Sequence, residues 1–126
     1  VALNVEIRTI DHGAQRYPTV GDWYYDGEKL VILVSDLGDW KKEALVAVHE
    51  LIEVLLCGAR GITQEQVDQF DQKFEASRQA GNVDEPGDDP KAPYRKEHFF
   101  ATNIERLLCT EFGLVWADYN QQIEDL

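Results

Sequence analysis

Residues 44–57 read Ala-Leu-Val-Ala-Val-His-Glu-Leu-Ile-Glu-Val-Leu-Leu-Cys, and eleven of the fourteen are apolar. Wound at 3.6 residues per turn, such a segment is apolar nearly all round, which predicts a helix buried in the centre of its domain. The three exceptions, His49, Glu50 and Glu53, fall within about one turn of one another. Ionised carboxylates in that setting need compensation, because an unpaired buried charge costs several kcal/mol. Any fold for this chain must therefore bury the helix and also supply a partner for its polar turn.

The flanking sequence indicates what the helix packs against. Leu3, Val5 and Ile7 alternate with Asn4, Glu6 and Arg8, the period-two pattern of a half-buried strand. Trp23-Tyr24-Tyr25 and Leu30-Val31-Ile32-Leu33-Val34 flank Asp26-Gly27, which reads as a hairpin whose tight turn takes its positive φ angles from that dipeptide. The second arm, apolar on both faces, is expected to be the most buried strand. Asp39 can cap a helix from Trp40 to about Cys57, with Gly58 and Gly61 available to end it. Thr63 and Gln66 form a capping box for a second helix, Ile62 is placed as a staple, and Gly81 marks the end. Val67, Phe70 and Phe74 make its apolar stripe. Residues 82–93 hold three of the four prolines and predict an irregular loop, long enough to carry function. A third helix follows from about Tyr94 to Phe112, and a short one from about Trp116 to Ile123.

These elements describe one α+β domain, with a sheet region at 1–36 and a helical region at 39–126. About three strands, antiparallel or mixed, would pack on three main helices. At 126 residues the chain can bury one core without staples. The formal charge is −12, from 24 acidic and 12 basic residues, which argues against nucleic acid or an anionic membrane as partner. No apolar run approaches the ~20 residues that span a bilayer, and the first residues read as a strand rather than a secretory signal. Two cysteines, Cys57 and Cys109, both in apolar helical stretches, read as core residues in a reducing compartment. The expected location is the cytoplasm, or the host cytoplasm for a phage-encoded chain. Oligomeric state is not legible.

A divalent cation is the economical partner for the polar turn, since it favours ionised carboxylate and neutral imidazole. His49 and Glu53, four apart, project from one helix face and suit two ligands of one ion. Glu50 points in a neighbouring direction, where a carboxylate can touch bound water. His98 is the expected third ligand, with Glu97 as its rival and Asp71 as a further candidate. Glu105 and Asp71 are also placed to receive the free ring N–H of a ligating histidine. Without metal, His49 would be a core histidine bonded to a backbone carbonyl and to Glu53 or Glu105, while Glu50 and Glu53 would face a water-lined groove or pair with Arg60 and Arg106. His12 reads as an exposed turn residue, and Trp23, Tyr24, Tyr25, Trp40 and Trp116 as core or staple aromatics.

His49-Glu50-Leu51-Ile52-Glu53, on the first helix after a sheet, resembles the His-Glu-x-x-His helix of minimal zincin-like metallohydrolases. Glu53 stands where that motif has its second histidine, and the chain has no methionine for a Met-turn. The resemblance implies Zn²⁺ (or another divalent cation), Glu50 as general base, and a peptide or protein substrate bound by strand addition at the sheet edge. The chain is also similar to small phage or prophage proteins that carry a His-Glu-x-x-Glu helix, a Gly-Asp-Asp-Pro loop (Gly87 to Pro90) and a later Glu-His helix. That likeness implies a non-catalytic accessory protein with a structural metal or polar cluster. A third reading rests on Glu50, Glu53, Glu65 and Asp68, which resemble the Mg²⁺-binding carboxylate quartet of all-α nucleotide pyrophosphohydrolases.

Overall fold

A computed structural model describes residues 2–126. The fold is α+β. Three strands, β1 (Val5–Ile10), β2 (Gly21–Asp26) and β3 (Lys29–Ser35), form a mixed sheet in the order β1-β3-β2, with β1 parallel and β2 antiparallel to β3. Four helices follow: α1 (Trp40–Ala59), α2 (Gln64–Ala76), α3 (Arg95–Glu111) and α4 (Trp116–Glu124). No helix among the described residues is long and apolar enough to cross a membrane.

The apolar run of β3 takes the central position, where both of its faces are covered, and Leu30, Val31, Ile32 and Val34 are buried. Each such side chain contributes about 1.5–3 kcal/mol by leaving water. The hairpin forms one residue later than the sequence suggests. Asp26 pairs with Lys29, so the two-residue turn is Gly27-Glu28, and Gly27 alone has positive φ, at 61°. A glycine at the first central position satisfies a type II′ turn by itself, which leaves Asp26 free to end the strand. Residues 11–20 carry the chain from β1 past β3 to β2. There His12 is half-buried rather than exposed, with Nδ1 2.9 Å from the Ser35 hydroxyl.

Asp39 caps α1 by accepting from the Lys41 N–H at 2.9 Å. One face of α1 lies on β2 and β3, and a second lies on α3, which runs antiparallel to it, as the pairs His49–Glu105 and Arg60–Glu97 record. The third flank is not enclosed: Leu55 is 40% exposed, and Val48 and Ile52 are only half-buried. Three strands and one helix are too few neighbours to surround a 20-residue helix, so the expected all-round burial is not reached. The core proper gathers Ile32, Val34, Leu45, Val54, Cys57, Cys109 and Tyr119.

The capping box at Thr63 and Gln66 opens α2 as expected, but the helix stops at Ala76, short of Gly81, where the Ser77 hydroxyl bonds the Lys73 and Phe74 carbonyls. The proline-rich segment is more regular than its composition implies. Pro86–Asp88 form one turn of 3-10 helix, in which the Asp88 carboxylate accepts from the Glu85 N–H at 3.1 Å. Proline suits the first position of such a turn because its missing N–H would have had no partner there. Among the aromatics Trp23 is buried, whereas Trp40 is 67% exposed and meets the Phe112 ring edge-on.

Candidate metal centre

A cavity of about 670 Å³ lies between the start of β2, α1, α2, the 82–88 loop, α3 and α4. The antiparallel α1–α3 pair directs five titratable side chains towards its floor: His49, Glu50 and Glu53 from α1, His98 and Glu105 from α3. His49 Nε2 and His98 Nδ1 both stand 3.2 Å from the same atom, Glu53 Oε2. The three ligand atoms lie within 4.8 Å of one another, and all three residues are buried. Two imidazole nitrogens and a carboxylate oxygen make up the His₂Glu donor set of catalytic zinc sites, so these residues fit that ion.

The outer ring nitrogens are also held. His49 Nδ1 lies 2.7 Å from Glu105 Oε1, whose other oxygen accepts from the Tyr119 hydroxyl at 2.7 Å. His98 Nε2 lies 3.1 Å from Asp88 Oδ1 and 3.2 Å from Glu85 Oε2. The two rings meet edge to face with centroids 4.9 Å apart. Burial works against charge on His49, but hydrogen bonds to Glu105 and Glu53 outweigh it and hold its pKa well above the ordinary value. His98 behaves alike: burial lowers its pKa, but the bonds to Asp88 and Glu53 raise it to about 10. Burial pushes Glu53 up, and the two histidines more than reverse this, bringing it to about 2.

Glu50 stands apart from this network. It is half-buried, faces the cavity, and among the described residues makes no hydrogen bond to protein. Burial and then repulsion from Glu53 raise its pKa well above the usual carboxylate value. Gly21 makes room for it, since a Cβ there would sit 2.5 Å from Glu50 Oε1 and 2.8 Å from Val46 Cγ1.

Other expected site residues go elsewhere. Glu97 is buried against the Arg60 guanidinium and does not join the cluster, because Arg60 at the end of α1 is the group it faces. Asp71 lines the cavity but binds no histidine. Its two oxygens accept from the Tyr17 and Tyr94 hydroxyls, and burial, partly offset by those bonds, raises it to about 7. Of the two metal-free arrangements for Glu50 and Glu53, the pairing with arginine is not made, since Arg60 takes Glu97 and Arg106 stacks over Trp116, whereas both acids do line the cavity. Nor does a carboxylate quartet assemble: Glu65 is exposed and bonds Gln69, while Asp68 pairs with Arg16. Tyr119, Glu85 and Gly21 had no sequence signal linking them to His49, Glu50 or His98, because each reaches the site from another element, whereas Gly87 and Asp88 were marked only through the likeness to phage-type proteins with a Gly-Asp-Asp-Pro loop.

The cavity lining is strongly acidic. Among the described residues, eleven Asp and Glu contribute to it, with Arg78 as its only arginine or lysine. No protein-family model, curated protein or solved structure matches this chain.

Proposed function

We propose that this protein is a zinc-dependent hydrolase of zincin-like design, acting on a peptide with basic residues. The observation that carries the reading is the convergence of His49 Nε2 and His98 Nδ1 on Glu53 Oε2, backed by carboxylates on both outer nitrogens. Zinc held by these three residues would supply Lewis acidity and a water whose pKa falls to about 7. Glu50, unpaired and facing the cavity, is the group that accepts a proton at its carboxylate and returns it to a leaving amine. Glu105 and Tyr119 keep the His49 ring in place throughout. β2 is an edge strand whose first residues line the cavity, so an extended segment can pair there and lie across the floor. Eleven acidic side chains favour a substrate that brings positive charge. Buried, free Cys57 and Cys109 suit a reducing cytoplasmic setting.

A competition titration tests the metal. The native chain should bind one zinc per molecule, and His49→Ala should lose it. Glu50→Gln should keep zinc and lose hydrolysis of a basic peptide library. Failure of the native chain to bind zinc would overturn the reading.

A second reading has its own support. Every ring nitrogen of His49 and His98 already faces a carboxylate, so two imidazolium ions among four acids would form a closed, metal-free cluster. That arrangement suits a non-catalytic accessory protein of the phage type. It predicts that both histidines stay protonated at neutral pH with excess zinc present.

A further inference from the structure

The turn at Glu85–Asp88 lies against His98 in a way that packing alone does not require. Gly87 is buried, and a Cβ added to it would stand 2.4 Å from His98 Cγ and 2.6 Å from Nδ1. These are atoms at the root of the ring, which cannot swing aside as a long side chain can. Only a glycine lets the backbone rest on the imidazole at this distance. The same turn brings Asp88 Oδ1 and Glu85 Oε2 to His98 Nε2, while Asp88 Oδ2 accepts from the Glu85 N–H and fixes the turn.

We infer that this loop is the outer wall of the metal centre, in which Gly87 seats the backbone on His98 while Asp88 and Glu85 hold its Nε2–H, so that Nδ1 faces the ion. The inference rests on the zinc reading above. It makes His98 the counterpart of His49 with the ring reversed. Glu105 takes the Nδ1–H of His49 and leaves Nε2 to bind, whereas Asp88 and Glu85 take the Nε2–H of His98 and leave Nδ1 to bind. A carboxylate on the outer nitrogen fixes the tautomer and makes the ligating nitrogen more basic. Gly87, Asp88 and Glu85 are thus positioning residues, supplied by the loop that precedes α3.

Glu85, Asp88 and His98 are also close enough together to hold an ion of their own. Two features favour the positioning role. The two acids are exposed, with side chains 47% and 44% accessible, whereas His49, Glu53 and His98 are all buried. Moreover, a His98 that binds an ion through Nδ1 keeps its proton on Nε2, where it donates rather than ligates.

The test compares zinc affinity and the visible spectrum of the Co²⁺-substituted protein across four chains: native, Gly87→Ala, Glu85→Ala/Asp88→Ala, and Glu85→Gln/Asp88→Asn. In the last pair the amide oxygen at position 85 still accepts the Nε2–H and the one at position 88 still accepts the backbone N–H of residue 85, so that pair is the conservative control. The alanine pair and Gly87→Ala should each lose roughly 10–100-fold in zinc affinity and shift the Co²⁺ bands. The amide pair should retain most of both. Circular dichroism of the metal-free chains establishes that each is folded, and the alanine pair carries the test if Gly87→Ala does not fold. Native affinity and an unchanged Co²⁺ spectrum in the alanine pair would overturn the inference while the zinc reading stood. Two zinc ions per native chain, one of them retained in His49→Ala, would overturn it in favour of a separate loop site. No zinc binding by the native chain would remove both.

Discussion

At the residue scale, the site is defined by which nitrogen of each ring turns inward. Zinc-loaded protein should therefore show opposite tautomers, Nδ1–H for His49 and Nε2–H for His98, readable from long-range ¹H–¹⁵N correlations. Two rings in the same tautomer would contradict the assignment. Glu105→Ala should cost about 10–100-fold in zinc affinity by freeing His49 Nδ1. Tyr119→Phe should cost about 1–3 kcal/mol of stability, measured by urea unfolding, because a buried carboxylate oxygen loses its donor. Asp71 gives a pH test outside the proposed metal ligands. Burial raises its pKa from 3.8 to about 7, so the folded chain holds that proton more tightly than the unfolded one. Its contribution to stability therefore falls as pH rises from about 4 to 7, and Asp71→Asn should gain on the native chain over that window. A difference that does not vary with pH would count against the assignment. His49, Glu50 and Glu53 were legible because their spacing is local. Glu97, the rival of His98, is buried as a candidate ligand should be, but its place on α3 does not say that Arg60 reaches it from α1.

At the element scale, α1 carries both a large part of the core and three of the proposed site residues. Leu45 is fully buried one turn before His49, so Leu45→Ala should destabilise the fold by about 2–5 kcal/mol in urea unfolding. Asp39→Ala removes the cap and should cost about 1 kcal/mol. A Leu45→Ala cost below about 1 kcal/mol would mean that α1 is not clamped between the sheet and α3. Helix starts at Asp39 and Thr63 could be read from sequence because a cap is made by residues two or three apart. The helix ends and the hairpin turn were harder to place. Ser77 ends α2 with bonds to carbonyls one turn back, and one glycine rather than a dipeptide sets the turn of β2–β3. The 3-10 turn at Pro86–Asp88 was hidden because proline content argues against regular structure over a long window, though it favours a single turn.

At the scale of the whole molecule, the sheet, the α1–α3 pair and the 82–88 loop enclose one acidic cavity in a chain of net charge −12. Such a field attracts cations and basic peptides and is screened by salt, with a Debye length of about 10 Å at 0.1 M. Binding of a lysine-rich peptide to the zinc-loaded protein should therefore weaken steeply between low and moderate salt, as fluorescence anisotropy would record. Salt-independent binding would exclude the cavity charge as the source of selectivity. The fold class was legible because the change from period two to helical period is abrupt near Asp39. The cavity was not, because its walls come from segments far apart in the sequence, from His12 before β2 to Leu126 after α4. The most direct measurement is anomalous diffraction from crystals grown with zinc, collected above and below the zinc absorption edge. The account predicts one peak per chain about 2.0–2.2 Å from His49 Nε2, Glu53 Oε2 and His98 Nδ1. No peak there, with Glu53 still hydrogen-bonded to both rings, would contradict it.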